Sequence, residues 1–106
     1  MTQAEQLFHQ IATVIPEAKA SKMFGAQCYK APNGKALAMY WPVDQAMVFK
    51  LQGEDQTDAL SLDGAHFFSP DGGRTMGGWV QLPFEYAEKW PVFAQKAYEY
   101  VKAITK

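Results

Sequence analysis

Three scarcities frame this chain. It has one cysteine, Cys28, in 106 residues, so no internal disulfide can form, a usage that fits a reducing compartment. Only one of its ten basic residues is an arginine, Arg74, and the net charge is −1. Phosphate recognition favours clustered arginine and lysine, so no direct nucleic-acid binding is expected. Apolar runs are short, none approaching the roughly 20 residues of a bilayer-spanning helix, and MTQAEQ has neither the basic segment nor the apolar core of a secretory signal. These absences exclude a disulfide-stapled scaffold and a helical membrane span, and lead to a cytoplasmic protein with no membrane partner.

Apolar and aromatic residues are plentiful. At 48% hydrophobic and 20% charged the chain lies inside the globular class, and its length suits one domain over residues 1–106. Thr2 and Glu5 make a capping box, followed by Ala4, Leu7, Phe8, Ile11 and Ile15 at helical spacing up to Pro16. Lys22 to Lys30 alternates as one strand, with Phe24, Ala26 and Cys28 on one side and Met23, Gly25, Gln27 and Tyr29 on the other. Ala31-Pro32-Asn33-Gly34 reads as a type I turn. Lys35 to Trp41 returns as a second strand, with Leu37, Met39 and Trp41 facing one way and Ala36, Ala38 and Tyr40 the other. After a break at Pro42-Val43-Asp44, Ala46 to Leu51 makes a third.

Gly53 to Ser61 predicts a short acidic helix, closed at Asp63-Gly64. Two more strands follow, opening at His66 and at Thr75, joined by Pro70-Asp71-Gly72-Gly73. Pro83 ends the last strand, and Pro91 opens a final helix carrying Trp90, Phe93, Ala94, Ala97, Val101 and Ile104. The order α-β-β-β-α-β-β-α, with terminal helices flanking two strand groups in the chain, predicts an α+β fold in which an antiparallel sheet packs with the terminal helices.

KMFGAQCY followed by NGKA, then VFKL, RTMGGWVQLP and a closing aromatic-rich helix resembles the N-terminal domain family of the competence regulator TfoX (Sxy), over roughly Ser21 to Lys106. The resemblance implies a fold similar to the secretion-chaperone-like and YjbR-like α/β domains. It implies no enzyme, no catalytic residues and no cofactor. Members that regulate competence carry a second, helical domain and act with the cyclic-AMP receptor protein at particular promoters. The expectation here is a stand-alone version of the first domain.

Among chemistry-bearing residues, a reactive Cys28 would need a cation, a base or a helix N-terminus to lower its pKa, whereas mid-strand between apolar neighbours it suits packing. His9 and His66 with Cys28 would supply three metal ligands, but at separations matching no zinc motif, so no metal is expected. Arg74 among Gly72, Gly73, Gly77 and Gly78 suggests an anion-holding concavity without the Gly-Lys-Ser/Thr ending of a phosphate loop. The second strand has no polar face, so Trp41 and Trp79 are candidates for a covered sheet surface. The leading expectation is a non-catalytic module binding another protein or a second copy of itself, with Cys28, Arg74, Trp41 and Trp79 as candidate binding residues. Its rival is a small-ligand protein or enzyme with a pocket near Cys28, His66 or Arg74.

Overall fold

A computed structural model of the chain describes residues 2–15, 17–23, 25–69, 75 and 77–103. The order is α1 (Gln3–Gln10), a 3-10 turn (Ile11–Thr13), β1 (Lys19–Met23), β2 (Ala26–Lys30), β3 (Ala36–Trp41), β4 (Ala46–Lys50), α2 (Gly53–Leu60), β5 (His66–Phe67), β6 (Trp79–Leu82), a 3-10 segment (Phe84–Lys89) and α3 (Trp90–Lys102). Six antiparallel strands lie in the order β1-β2-β3-β4-β6-β5. The α+β class read from the sequence is the class observed.

One strand was not foreseen. The single strand expected over Lys22 to Lys30 is a hairpin, with Met23 opposite Ala26 and Lys19 opposite Lys30. Gly25, at φ +74°, takes the left-handed conformation its turn needs. The sequence of β1, Lys-Ala-Ser-Lys-Met, has little β propensity. It is held as an edge strand by the ladder to β2, and its lysines suit an edge that must not pair further.

Thr2 caps α1 by accepting the Glu5 amide at 3.1 Å. The Glu5 carboxylate turns to the sheet, where it accepts from Gln27 at 3.0 Å. Phe8 stacks on Tyr29 at 4.6 Å between centroids, and the Tyr29 hydroxyl donates to the Phe8 carbonyl at 2.7 Å. At the other end of the chain, Phe93 of α3 meets Phe49 of β4. Both terminal helices, with Ala59 of α2, therefore bury their apolar stripes in one core against one sheet face. The sheet packs with the terminal helices as the element order predicts, and both helices lie on the same face. Helical periodicity marks which stripe is buried but not which face of the sheet receives it.

The faces of β3 are also corrected. Lys30 pairs with Ala36 while Tyr29 pairs with Ala38, so Leu37 is an extra residue, a β-bulge. Leu37 thereby joins Ala38 and Tyr40 in the helix-side core, and Ala36 falls beside Met39 and Trp41 on the opposite face. Asn33 fastens the β2–β3 turn. Its amide donates to the Val101 carbonyl of α3 at 3.0 Å, its carbonyl oxygen accepts the Lys35 amide at 3.0 Å, and Gly34 N–H closes on Ala31 at 2.8 Å. The last two strands are shorter than expected, and the turn at 70–73 and Ile104 lie outside the described residues.

Candidate functional site

Three of the four candidate binding residues come together. Cys28, Trp41 and Trp79 belong to one small cluster on the sheet face away from the helices, with Ala26, Met39, Val48 and Phe68. Phe68 follows β5, is fully buried, and sets its ring edge-to-face against Trp41 at 4.8 Å. Its amide donates to the Trp79 carbonyl at 2.8 Å, which holds it at the sheet. Arg74 lies outside the described residues.

The cluster is packed rather than open. Cys28 is 0% exposed and Trp79 is 7% exposed. Burial pushes the Cys28 thiol pKa up, outweighing the Lys30 ammonium and the hydrogen bond from Ser21, which pull it down. A neutral buried thiol is the opposite of an activated nucleophile. His66 is exposed, with its Nδ1 2.9 Å from the Phe67 carbonyl oxygen. His9 stands on α1, on the helix side of the sheet, 3.9 Å from Glu5, so the Cys28, His9 and His66 trio is divided between the two faces. Among the described residues no group of three His, Cys, Asp or Glu side chains gathers as a metal site. Of the carboxylates near the start of α2, Asp55 makes a surface ion pair with Lys96 of α3 at 3.2 Å.

Two recesses that sequence reading missed lie at opposite ends of α3. At its start, Leu7, Gln10, Ile11, Thr13 and Val14 face Ala87, Trp90 and Pro91 across a recess of about 140 Å³. It continues into a shallower groove along Val14, Pro91, Val92, Gln95 and Lys96. Val14 and Val92 are 47% and 54% exposed, while Trp90 beneath them is fully buried. The Trp90 indole N–H finds no acceptor among the described residues. The signal available in sequence was the aliphatic residue just beyond each helical stripe, Val14 after Ile11 and Val92 after Trp90, but strand-face reasoning drew attention to the tryptophans. At the other end of α3, Lys35, Ala36, Lys50, Trp79, Tyr100 and Val101 line a recess of about 340 Å³. There the Lys50 ammonium lies 5.4 Å from the Trp79 ring centroid, a cation–π contact.

Compared with family models, with curated proteins and with solved structures, the chain finds no match.

Proposed function

We propose that the chain is a non-catalytic, regulatory protein-binding module that seats an apolar side chain of its partner in the groove between the end of α1 and the start of α3. One observation carries this reading: Val14 and Val92 stand half exposed over an apolar recess floored by Ile11 and Trp90. Val43, the other exposed large aliphatic residue among the described residues, sits alone in the β3–β4 turn and needs no partner. Covering Val14 and Val92 is worth about 1 kcal/mol each, and an aliphatic or aromatic anchor entering the recess about 1.5–3 kcal/mol more. Set against the cost of association, these figures suit a transient complex anchored by one or two side chains. The buried thiol and the dispersed histidines give no support to the rival enzyme reading. The TfoX-like sequence pattern favours the same conclusion, since regulators of that family act through another protein.

Selection from a displayed peptide library against the folded chain tests this. Enriched peptides should carry Leu, Phe or Met anchors at helical spacing, and Val14→Asp and Val92→Asp should abolish their binding while leaving the circular-dichroism melt in place. Binding that survives both substitutions overturns the proposal. Light scattering over a dilution series adds a second readout: a dimer lost in Val14→Asp identifies a second copy of the chain as the occupant.

A further inference from the structure

Antiparallel register gathers, at one end of the sheet, lysines that the sequence keeps apart. Lys19 of β1 lies directly opposite Lys30 of β2. Lys30 also lies opposite Ala36 at the start of β3, and Lys50 at the end of β4 lies opposite Trp79 at the start of β6. Lys35 sits in the turn just before β3. With neighbouring strands about 4.8 Å apart, these cations form a row across the sheet end that finishes at the Trp79 indole. Lys30 and Lys50 lie on the face of Cys28 and Trp79: Lys30 is two strand positions from Cys28, and Lys50 stands over Trp79.

None of the four lysines forms an ion pair with a described carboxylate. Two carboxylates of bordering elements are held by other groups, while Glu54, four residues after Lys50 at the start of α2, is exposed to solvent. Glu17, two residues before β1, accepts from the Tyr98 hydroxyl, and Glu99 receives Lys102 and Gln95. Like charges directly opposite on adjacent strands oppose pairing, so Lys19 facing Lys30 works against the fold that contains it. The recess of about 340 Å³ opens at this row, with Lys35 and Lys50 on its wall and Ala36 and Val101 supplying apolar surface, a volume within the range of small-molecule sites.

We propose that this lysine row is a binding site for a small multivalent anion carrying two or more phosphate or carboxylate groups. One group sits in the recess between Lys35 and Lys50, and the next lies along the row toward Lys30 and Lys19. Lysines act as point charges rather than as planar forks, so affinity follows the number of anionic groups that reach the row. The site is about 14 Å along α3 from the apolar recess at the helix start, at about 1.5 Å per residue between Pro91 and Tyr100.

Isothermal titration of the full chain at low salt with pyrophosphate, citrate and inorganic phosphate tests the proposal. Pyrophosphate or citrate should bind at least about tenfold more tightly than inorganic phosphate, and the stronger of the two identifies the anion class. Lys30→Ala and Lys50→Ala should each weaken that binding by about tenfold or more, as expected for a lost charge-assisted contact. Lys89→Ala, outside the row, should leave it unchanged, and all three variants should stay folded, with melts within the small shifts expected from relieving the Lys19–Lys30 repulsion or losing the Lys50–Trp79 contact. No measurable binding at low salt, or equal losses in all three variants, overturns the proposal. A single-stranded oligonucleotide that binds more tightly than either small anion, and is lost in the same two variants, overturns it in favour of a nucleic-acid surface.

Discussion

Removing the Phe68 ring should unseat the cover of the second sheet face. Phe68 is fully buried, its ring meets Trp41 at 4.8 Å and its amide is tied to Trp79, yet it follows a strand of only two residues. Truncating a buried phenylalanine to alanine costs about 3–5 kcal/mol, a large share of the about 5–15 kcal/mol that stabilises a domain of this size. Phe68→Leu keeps much of the volume and should cost about 1–2 kcal/mol. Urea unfolding followed by circular dichroism reads both values.

Cys28 supplies an internal reporter, because it is buried in the same cluster and native-state labelling of its thiol requires opening. If that opening lifts Phe68, a loss of about 3 kcal/mol should raise the labelling rate by about a hundredfold. Two results refute the reasoning. One is Phe68→Ala lying within about 0.5 kcal/mol of the parent, a surface-like effect for this ring. The other is a destabilised Phe68→Ala that labels at the parent rate, which places the route to Cys28 elsewhere.

The Cys28 thiol also predicts a pH dependence. Its folded pKa is raised by burial, so the unfolded thiol ionises first: its contribution is fully present below about pH 8.5 and is lost as pH climbs toward the folded value. The Tyr98 phenol, held up by its hydrogen bond to Glu17, titrates in the same sense. The urea-midpoint difference between the parent and Cys28→Ala over that range therefore isolates the thiol, and an unchanged difference refutes the assignment. Asn33→Ala should cost about 1–2 kcal/mol in chemical unfolding, since it removes both the amide that satisfies Val101 and the acceptor for Lys35 N–H. Lys19→Glu should stabilise the hairpin by about 0.2–1 kcal/mol by replacing a repulsive cross-strand pair with an attractive one; a lower melting temperature would show that the Lys19–Lys30 pairing is not repulsive.

The elements most legible in the sequence were those whose signals are local. The Thr2 cap, the stripe of α1, the Pro-Asn-Gly turn and the Pro91 start of α3 each follow from a few adjacent residues, and each is found in place. β1 escaped because an edge strand of lysine, alanine and serine carries neither propensity nor alternation. Leu37 was assigned to the wrong face because a bulge shifts side-chain parity without changing composition. Trp41 and Trp79 were singled out by an apolar sheet with no polar face and Cys28 by its thiol, and the three do share one cluster. The cluster is nevertheless interior, because a single buried ring, Phe68, comes from a distant point in the chain to pack on it.

Illegibility is deepest for charge. Lys19, Lys30, Lys35 and Lys50 fall in four separate segments spread over residues 19–50, with Asp44 between the last two. A net charge of −1 gave no sign of a one-signed row, and the sequence argument against nucleic-acid binding, made for a linear basic patch, did not reach a patch made by register. The missed hairpin is the missing step: without β1, Lys19 has no place in the sheet, and without the bulge Lys30 and Ala36 do not pair. The same two departures that displaced the predicted strands assemble the lysine row. The balance between stability and binding at this edge is accordingly testable in one variant, since Lys19→Glu should gain stability and lose multivalent-anion affinity together.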